Sequence, residues 1–252
     1  MRETLPGESA VTIDRTAYEA LPFSARCREI WRRGDHLLIG VSPGNSYFSH
    51  RRISELIRWG REFFDRIDIV HADLHVEAQF AAFGYTAEHA QRRAAKEVKA
   101  TARRIARGAE EAGEPDNVRA HALSEFTGHP AYGRLHHQTV DALRTDREFR
   151  EAAEGMARGF LAARMDEGLA PNELQLAAGL QYIAAELPFF LDTPALLGVA
   201  SSVSCYHVEL PLTPVLFGRD RGLRAAPGQA YAVVRPAAPP LPVTAGPPVR
   251  AA

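Results

Sequence analysis

The fold class follows from one stretch near the amino end of the chain, His36-Leu37-Leu38-Ile39-Gly40-Val41-Ser42-Pro43-Gly44-Asn45. Its apolar first half predicts a buried strand, and the Pro-Gly pair that follows predicts a turn. Ser42 therefore lies at the carboxyl end of a strand, where open α/β sheets place their ligands and catalytic groups. A serine at this position serves either as a nucleophile or as a turn or cap residue, and the stretch alone leaves both roles open.

Size and composition indicate one compact domain. The chain has 252 residues, 46% of them hydrophobic, and a formal net charge of −1, so the whole-chain charge does not predict a polyanionic partner. Cys27 and Cys205 form neither a metal-ligand spacing nor a disulfide framework, and we expect no metal and a reducing, cytoplasmic setting. The chain has no signal-like start and no run of about 18 apolar residues, so we expect no membrane association.

Strand-like and helix-like segments alternate along the chain. Strands are predicted at 37–41, 68–73, 118–126 and within 196–212, and helices at 50–65, at 86–108, as a pair over 132–168, and from 171 to 187 ahead of Pro188. This order predicts an α/β fold with a mostly parallel sheet and helices on both faces. We expect a flexible arm at 1–20, a single folded domain at 21–234, and a disordered Pro/Ala-rich tail at 235–252.

The helix predicted at 86–108 is strongly basic. Its seven cations are Arg92, Arg93, Lys96, Lys99, Arg103, Arg104 and Arg107. Spacings of three and four align five of them in one stripe, with Arg93 and Arg104 beside it. Like charges gathered in a near-neutral chain favour a phosphate backbone as partner, although a merely solvated helix face has the same sequence pattern. The chain contains no glycine-rich phosphate loop, so neither ATP nor a dinucleotide is expected as a cofactor.

Two further groups of residues suggest chemistry. Tyr182 and Glu186 are four residues apart and share one face of a predicted helix, where a phenol and a carboxylate together can bind an ammonium group. Tyr206 and His207 end the last predicted strand, and such a pair can relay protons. Each group also has a purely structural interpretation, as an exposed glutamate and as a half-buried histidine.

Together and in this order, these blocks resemble the cyclodipeptide synthases from about residue 36 to about residue 212. The resemblance rests on the segment around Ser42, on Tyr182 and Glu186 followed by Leu187-Pro188-Phe189, and on Tyr206-His207. Asn45, Tyr206 and His207 are similar to the Asn-Tyr-His signature of one of the family's two main subgroups. The resemblance implies a Rossmann-like domain similar to the catalytic domain of class I tyrosyl- and tryptophanyl-tRNA synthetases, with no cofactor.

The resemblance also implies a reaction. Two aminoacyl-tRNAs would be joined into a cyclic dipeptide, a 2,5-diketopiperazine, by ping-pong catalysis through an aminoacyl-enzyme on Ser42. Tyr182 and Glu186 would hold the ammonium group of the aminoacyl moiety, and Glu186 would also accept protons. Asn45 would orient the Ser42 loop or the acyl carbonyl, and Tyr206 would relay a proton with His207 positioning it. We expect a monomer that binds no DNA.

The remaining predicted contacts concern the two parts of the substrate. The basic helix falls where the family grips tRNA. Strand alternation and neighbourhood predict the pocket for the first amino acid from Leu38, Gly40, Val70, Phe189 and Ser204. The Leu, Val and Phe side chains favour an apolar or small residue, and Ser204 adds a polar group.

Two other interpretations remain open in the sequence. A tRNA-binding module that kept the fold and lost catalysis needs the basic helix but not Ser42, Tyr182 and Glu186 together. A serine hydrolase would use Gly40-Val41-Ser42-Pro43-Gly44 as its nucleophile elbow, with His207 as base and Asp192 as acid. That elbow is expected after a late central strand of a larger sheet, whereas here it closes what looks like the first strand.

Overall fold

The computed structural model describes residues 13–14, 18–162, 165 and 169–237. The strands of this part of the chain are β1 (Ile13–Asp14), β2 (Tyr18–Pro22), β3 (His36–Val41), β4 (Arg66–His71), β5 (Val118–Ala122), β6 (Ser202–Tyr206) and β7 (Gln229–Pro236). Its α-helices are α1 (Ala25–Arg33), α2 (His50–Gly60), α3 (Val76–Ala82), α4 (Ala87–Glu111), α5 (Pro130–Thr145), α6 (Arg147–Ala162), α7 (Glu173–Leu197) and α8 (Thr213–Phe217).

The strands form one sheet in the order β1-β2-β7-β6-β3-β4-β5. The five strands from β7 to β5 are parallel, while β2 is antiparallel to β7 and β1 is antiparallel to β2. The predicted mostly parallel sheet is therefore confirmed. Because β3 pairs with β6 on one side and β4 on the other, the chain leaves β3 at Ser42 in the middle of the carboxyl edge.

Alternating strand residues build a hydrophobic layer on each face of the sheet. Leu37 and Ile39 pack with Ile30 of α1 and Ile57 of α2 on one face. Leu38 and Val70 point to the other face, where they pack with residues of α5 and α7, among them Phe189. The sheet is thus covered on both sides, as predicted, and the side chains of Leu38 and Ser42 belong to the face that α7 covers.

Most of the predicted elements are present, with shifted boundaries. The strand predicted at 118–126 ends at Ala122 and continues as a 3₁₀ turn over Leu123–Phe126. Helices α1, α3 and α8 and strand β7 were not predicted from the sequence. Strand β2 overlaps the end of the predicted arm, and β7 runs two residues into the predicted tail; residues 1–12, 15–17 and 238–252 lie outside the described residues.

Helix α7 is longer than predicted. It was expected to end at Leu187, but it passes Pro188, and only at Asp192 does the backbone become non-helical (φ −159°, ψ 67°) before a last segment to Leu197. A proline inside a helix costs about 3 kcal/mol or more. Burial of Leu187, Phe189 and Leu191, each at most 3% exposed, offsets that cost at about 1.5–3 kcal/mol per side chain.

Of the described helices, α7 is also long and apolar enough to cross a membrane by length and composition alone. In its most apolar window, 61% of the residues are buried inside the protein. Because α7 packs against α5 and α6, its apolar composition is that expected of a helix in the protein core.

Candidate active site

A tight turn presents Ser42 at the carboxyl end of β3. The amide of Asn45 donates to the Ser42 carbonyl at 3.2 Å, and Gly44 has a φ of +76°. Proline at the second position and a left-handed glycine at the third are the residues that a type II turn requires. The cap of the following helix is Ser49, whose hydroxyl accepts from the Arg52 amide, so Ser42 does not cap α2.

Ser42 opens into a cavity of about 560 Å³ between the sheet edge, α6 and α7. The six predicted catalytic residues and the five predicted pocket residues all line this cavity: Leu38, Gly40, Ser42, Asn45, Val70, Tyr182, Glu186, Phe189, Ser204, Tyr206 and His207. A Cβ built on Gly40 would meet no atom within 4 Å, so glycine there leaves open space in the cavity near Ser42. The structure thus brings four separate segments of the chain to one site.

Helix α7 supplies a carboxylate to this cavity. The hydroxyls of Tyr182 and Ser42 lie beside Glu186, and Phe160 stacks on the Tyr182 ring with centroids 5.5 Å apart. Burial raises the pKa of Glu186 from an ordinary value of 4.5 to about 7, although both neighbouring hydroxyls favour the charged form. Glu186 forms no ion pair with a described residue, so a cationic group of a ligand would be its natural partner.

Asn45 joins the turn to the end of β6. Its side-chain amide donates to the Tyr206 hydroxyl at 2.8 Å, and its side-chain oxygen accepts from the Tyr47 amide at 3.0 Å. Burial raises the pKa of Tyr206 to about 12, so this hydroxyl carries its proton at neutral pH. Asn45 therefore holds both the backbone behind Ser42 and a neutral proton donor in the cavity.

His207 packs between Tyr47 and Tyr206. Its ring stacks on Tyr47 with centroids 4.0 Å apart and lies 4.4 Å from the Tyr206 ring, but the Tyr206 hydroxyl is held by Asn45. The Nδ1 atom of His207 is buried without a hydrogen-bond partner in the described structure, and burial lowers the pKa of the ring. His207 therefore contacts Tyr206 through its ring and not through the Tyr206 hydroxyl.

The serine-hydrolase interpretation fails on this geometry. Ser42 lies beside Glu186, whereas the buried Nδ1 of His207 meets no acid. Asp192 accepts from the amide of Ala195 at 3.1 Å, where it caps the last segment of α7. The three residues do not form a Ser-His-Asp relay.

Ser204 adds a polar group to the cavity wall beside Leu38. Leu38 and Ser204 are paired across β3 and β6, so they lie side by side on the cavity face. Ser204 Oγ accepts from Gln229 Nε2 at 3.0 Å, and Gln229 Oε1 accepts from the Thr193 amide at 2.9 Å. Because the Thr193 amide fixes which end of Gln229 is the donor, the Ser204 proton is free to be donated into the cavity.

The sequence analysis missed the contribution of α6 and of the segment after His207. The missed lining residues include Leu123, Gly155, Met156, Gly159, Phe160 and the run 208–211. Gly155 and Gly159 are four apart on α6, a spacing that leaves a groove on one helix face. That pair was the signal in the sequence that could have placed α6 beside the site.

The basic helix α4 presents five of its cations to solvent. We call these the outer stripe: Arg92, Lys96, Lys99, Arg103 and Arg107, all exposed. The opposite side of α4 carries the buried Ala94, Thr101 and Ile105. Two members of the stripe pair along the helix, Arg92 with Glu88 and Arg107 with Glu111, and such exposed pairs are worth less than about 1 kcal/mol.

The two flanking arginines of α4 differ in exposure and contacts. Arg93 is exposed and lies over the rings of Phe80 and Tyr85, 5.5 and 5.9 Å from their centroids. Arg104 is half-buried and donates to the carbonyl of Asn45 at 3.1 Å. Both were predicted as tRNA contacts, and that role stays a prediction.

Comparison with known proteins gives concordant results. A family model described as cyclodipeptide synthase matches residues 18–236. The chain is 40% identical over 217 residues to a cyclo(L-tyrosyl-L-tyrosyl) synthase of Mycobacterium tuberculosis, which covers 85% of this chain and 75% of the relative. It is 41% identical over 212 residues to a cyclo(L-leucyl-L-phenylalanyl) synthase of Streptomyces noursei, which covers 84% of this chain and 89% of the relative.

A solved structure agrees with the described fold. It is that of a Mycobacterium tuberculosis protein, described as demonstrating that cyclodipeptide synthetases are related to type I tRNA synthetases. It matches with a TM-score of 0.82 at 37% identity, over 93% of this chain and 100% of that one. The predicted relation to the class I synthetase fold is therefore confirmed. Among the described residues, no group of three or more His, Cys, Asp or Glu side chains could hold a metal ion.

Proposed function

This chain belongs to the cyclodipeptide synthase family, and we propose that it makes a 2,5-diketopiperazine from two aminoacyl-tRNAs through an aminoacyl ester on Ser42. One observation carries the proposal. A strand-end serine, a carboxylate without a cationic partner and a neutral tyrosine line the same cavity, with Ser42 beside Glu186. This arrangement can bind an amino acid by its ammonium group and place its ester carbonyl at the serine.

In the first step Ser42 Oγ attacks the ester carbonyl of the first aminoacyl-tRNA. The bond to the terminal ribose oxygen breaks, and that oxygen takes the serine proton, assisted by the vicinal ribose hydroxyl. Glu186 and the Tyr182 hydroxyl hold the substrate ammonium group meanwhile. Hydrogen bonds to charged groups contribute about 1.5–3 kcal/mol each, enough to orient the acyl group.

The second step lengthens the acyl chain. The amine of the aminoacyl ester on Ser42 attacks the ester carbonyl of a second aminoacyl-tRNA, which releases the second tRNA and leaves a dipeptidyl ester on Ser42. The attacking ammonium group must first lose a proton, and a carboxylate with a pKa of about 7 is well matched to accept it at neutral pH. Glu186 therefore serves first as the ammonium site and then as the general base.

The third step closes the ring. The new terminal amine attacks the carbonyl on Ser42, a six-membered ring forms, and Ser42 recovers its hydroxyl. Tyr206 carries its proton at neutral pH and is held by Asn45, so it can donate to the departing serine oxygen and take the proton of the attacking amine. The Asn45–Tyr206 bond and the ring of His207 beside it support placing this chain in the Asn-Tyr-His subgroup.

The tRNA part of the substrate is assigned to helix α4, and the aminoacyl part is assigned to the cavity. The outer stripe supplies cations for the tRNA backbone, with Lys96, Lys99 and Arg103 forming no ion pair with the described acidic residues. The apolar wall of Leu38, Val70 and Phe189 favours an apolar first amino acid. All of these groups belong to one chain, which supports a monomer. Charged tRNAs are found in the cytoplasm, which supports that location.

The test is the Ser42→Ala variant incubated with a full set of charged tRNAs. The parent should yield a cyclic dipeptide by mass spectrometry and a transient aminoacyl adduct in its intact mass, and Ser42→Ala should yield neither. Ser46→Ala is the matched control, because Ser46 is exposed at the cavity mouth and should keep the activity. Product that persists undiminished in Ser42→Ala would refute the acyl-enzyme, and a parent that binds charged tRNA without forming product would be an inactive binding module.

A further inference from the structure

The side chain of Arg104 joins the tRNA-binding helix to the nucleophile turn. Its Nη1 donates to the backbone carbonyl of Asn45 at 3.1 Å, and its Nη2 donates to Thr101 Oγ1 at 2.9 Å. Thr101 is fully buried, and its hydroxyl is in turn bonded to the Glu97 carbonyl one helical turn back. The guanidinium group is therefore fixed to α4 at one end and to the turn at the other.

Asn45, whose carbonyl accepts from Arg104, connects the turn to its surroundings through several hydrogen bonds. The amide of Asn45 closes the turn on the Ser42 carbonyl, its side chain binds the Tyr206 hydroxyl and the Tyr47 amide, and its carbonyl accepts from Arg104. All four polar groups of Asn45 are thus hydrogen-bonded. The orientation of this one residue sets the backbone behind the nucleophile and the position of the tyrosine hydroxyl.

Arg103, the residue before Arg104 on α4, is exposed and can bind tRNA. Successive helix residues are about 100° apart, so Arg103 points to solvent while Arg104 turns toward the turn after β3. Arg104 forms no ion pair with any described carboxylate, and its hydrogen bonds go to a neutral carbonyl and a neutral hydroxyl. A cation that binds tRNA from the helix surface does not need these two inward hydrogen bonds. The guanidinium group is planar and rigid, so two of its N–H donors can hold two fixed acceptors at a constant distance.

We propose that Arg104 is a positioning residue for catalysis, which acts through Asn45 on Ser42 and Tyr206, and not a contact to the tRNA backbone. The proposal rests on the proposed function. It implies that loss of the guanidinium group lowers the rate of acyl transfer on bound substrate while the affinity for tRNA stays nearly unchanged. Displacement of reacting groups by about 1 Å costs on the order of 100-fold, so we expect a loss of about 10- to 100-fold.

The experiment compares Arg104→Met with Arg103→Met in the full-length enzyme. Methionine keeps most of the aliphatic stem and removes the charge and the donors at both positions. Two quantities are measured for each variant: the affinity for uncharged tRNA as a function of salt, and the single-turnover rate of aminoacyl-enzyme formation at saturating aminoacyl-tRNA. Arg104→Met should lose rate at saturation with its salt slope unchanged, while Arg103→Met should lose about one unit of salt slope.

The outcomes separate this inference from the proposed function. A saturated rate for Arg104→Met within threefold of the parent, or a salt slope lowered by about one unit, overturns the inference. A larger loss of rate with an unchanged salt slope in a folded variant supports it. If Arg104→Met does not fold, Thr101→Val takes its place, because it keeps the arginine charge and removes one anchor; it should slow acylation at saturation with tRNA affinity intact. A parent enzyme that forms no adduct contradicts the proposed function itself, and an unaltered salt slope in Arg103→Met contradicts only the role of the outer stripe.

Discussion

Replacing Glu186 by glutamine should abolish activity and at the same time stabilise the protein. Burial raises the pKa of Glu186 from an ordinary 4.5 to about 7, so at pH 8 the folded protein carries a carboxylate that its surroundings disfavour. One pKa unit corresponds to about 1.4 kcal/mol, which gives an upper bound of about 3 kcal/mol. Because the side chain is only half-buried and opens into the cavity, we expect a gain of about 1–3 kcal/mol for Glu186→Gln at pH 8.

The sign of the pH dependence follows from proton binding. Between pH 4.5 and 7 the folded state holds the Glu186 proton and the unfolded state has lost it, so the free energy of unfolding falls as pH rises through this window. The penalty is fully present above pH 7 and disappears toward pH 4.5. Glu186→Gln should therefore be more stable than the parent at pH 8 and nearly equal to it at pH 5.

The assay is urea denaturation of both proteins at pH 5, 6.5 and 8, with Glu173→Gln as control. Glu173 is exposed in the first turn of the same helix, and its replacement should change the free energy of unfolding by less than about 0.5 kcal/mol. A Glu186→Gln protein that is less stable at pH 8, or equally stabilised at pH 5 and 8, would show that the ionised carboxylate is not the source of the penalty. Activity is measured in parallel, and cyclic dipeptide formation by the glutamine variant would remove Glu186 from the ammonium site.

Further predictions concern the tRNA helix, the pocket and the core. Alanine at the three unpaired cations of the outer stripe should lower the slope of log affinity for tRNA against log salt by about 3, whereas alanine at the exposed Arg32 of α1 should leave it unchanged. Ser204→Leu should reduce the volume of the cavity and shift the products toward smaller first amino acids. The measurement is the ratio of cyclic dipeptides made in competition, and an unaltered ratio would show that the side chain of residue 204 does not line the amino-acid pocket. Asp68→Asn should cost about 3–5 kcal/mol of stability by urea denaturation at pH 7, because this buried carboxylate accepts from two histidines and an arginine, which hold its pKa well below its usual range. The exposed Asp65→Asn is its control, and equal midpoints for the two variants would contradict the buried network.

The elements that sequence alone predicted are those with a strong local pattern. The apolar run that ends at Ser42 became β3, the amphipathic segment after Ser49 became α2, and the basic segment after Thr86 became α4. Each has a hydrophobic period or a cap within a few residues of its ends, so its formation depends on its own sequence. The type II turn after Ser42 likewise needs only a proline and a glycine in order.

The elements that were missed depend on distant contacts. Strand β7 has a weak pattern of its own and is defined by lying between β2 and β6. The passage of α7 through Pro188 breaks a local rule, and burial of its neighbours against the sheet compensates for it. The cavity wall from α6 was missed for the same reason, because two exposed-looking glycines become a groove only when α7 packs beside them.

For this chain, then, the amino-acid sequence determined where strands and helices begin, which face of α4 is basic, and which residue types could carry out acyl transfer. Tertiary structure alone decided that Glu186 lies beside Ser42, that Asn45 rather than His207 holds the Tyr206 hydroxyl, and that Arg104 turns inward. The physical reason is range. Periodicity and caps act over a few residues, whereas hydrogen-bond partners and pKa values depend on side chains that only the packed sheet and its helices bring together.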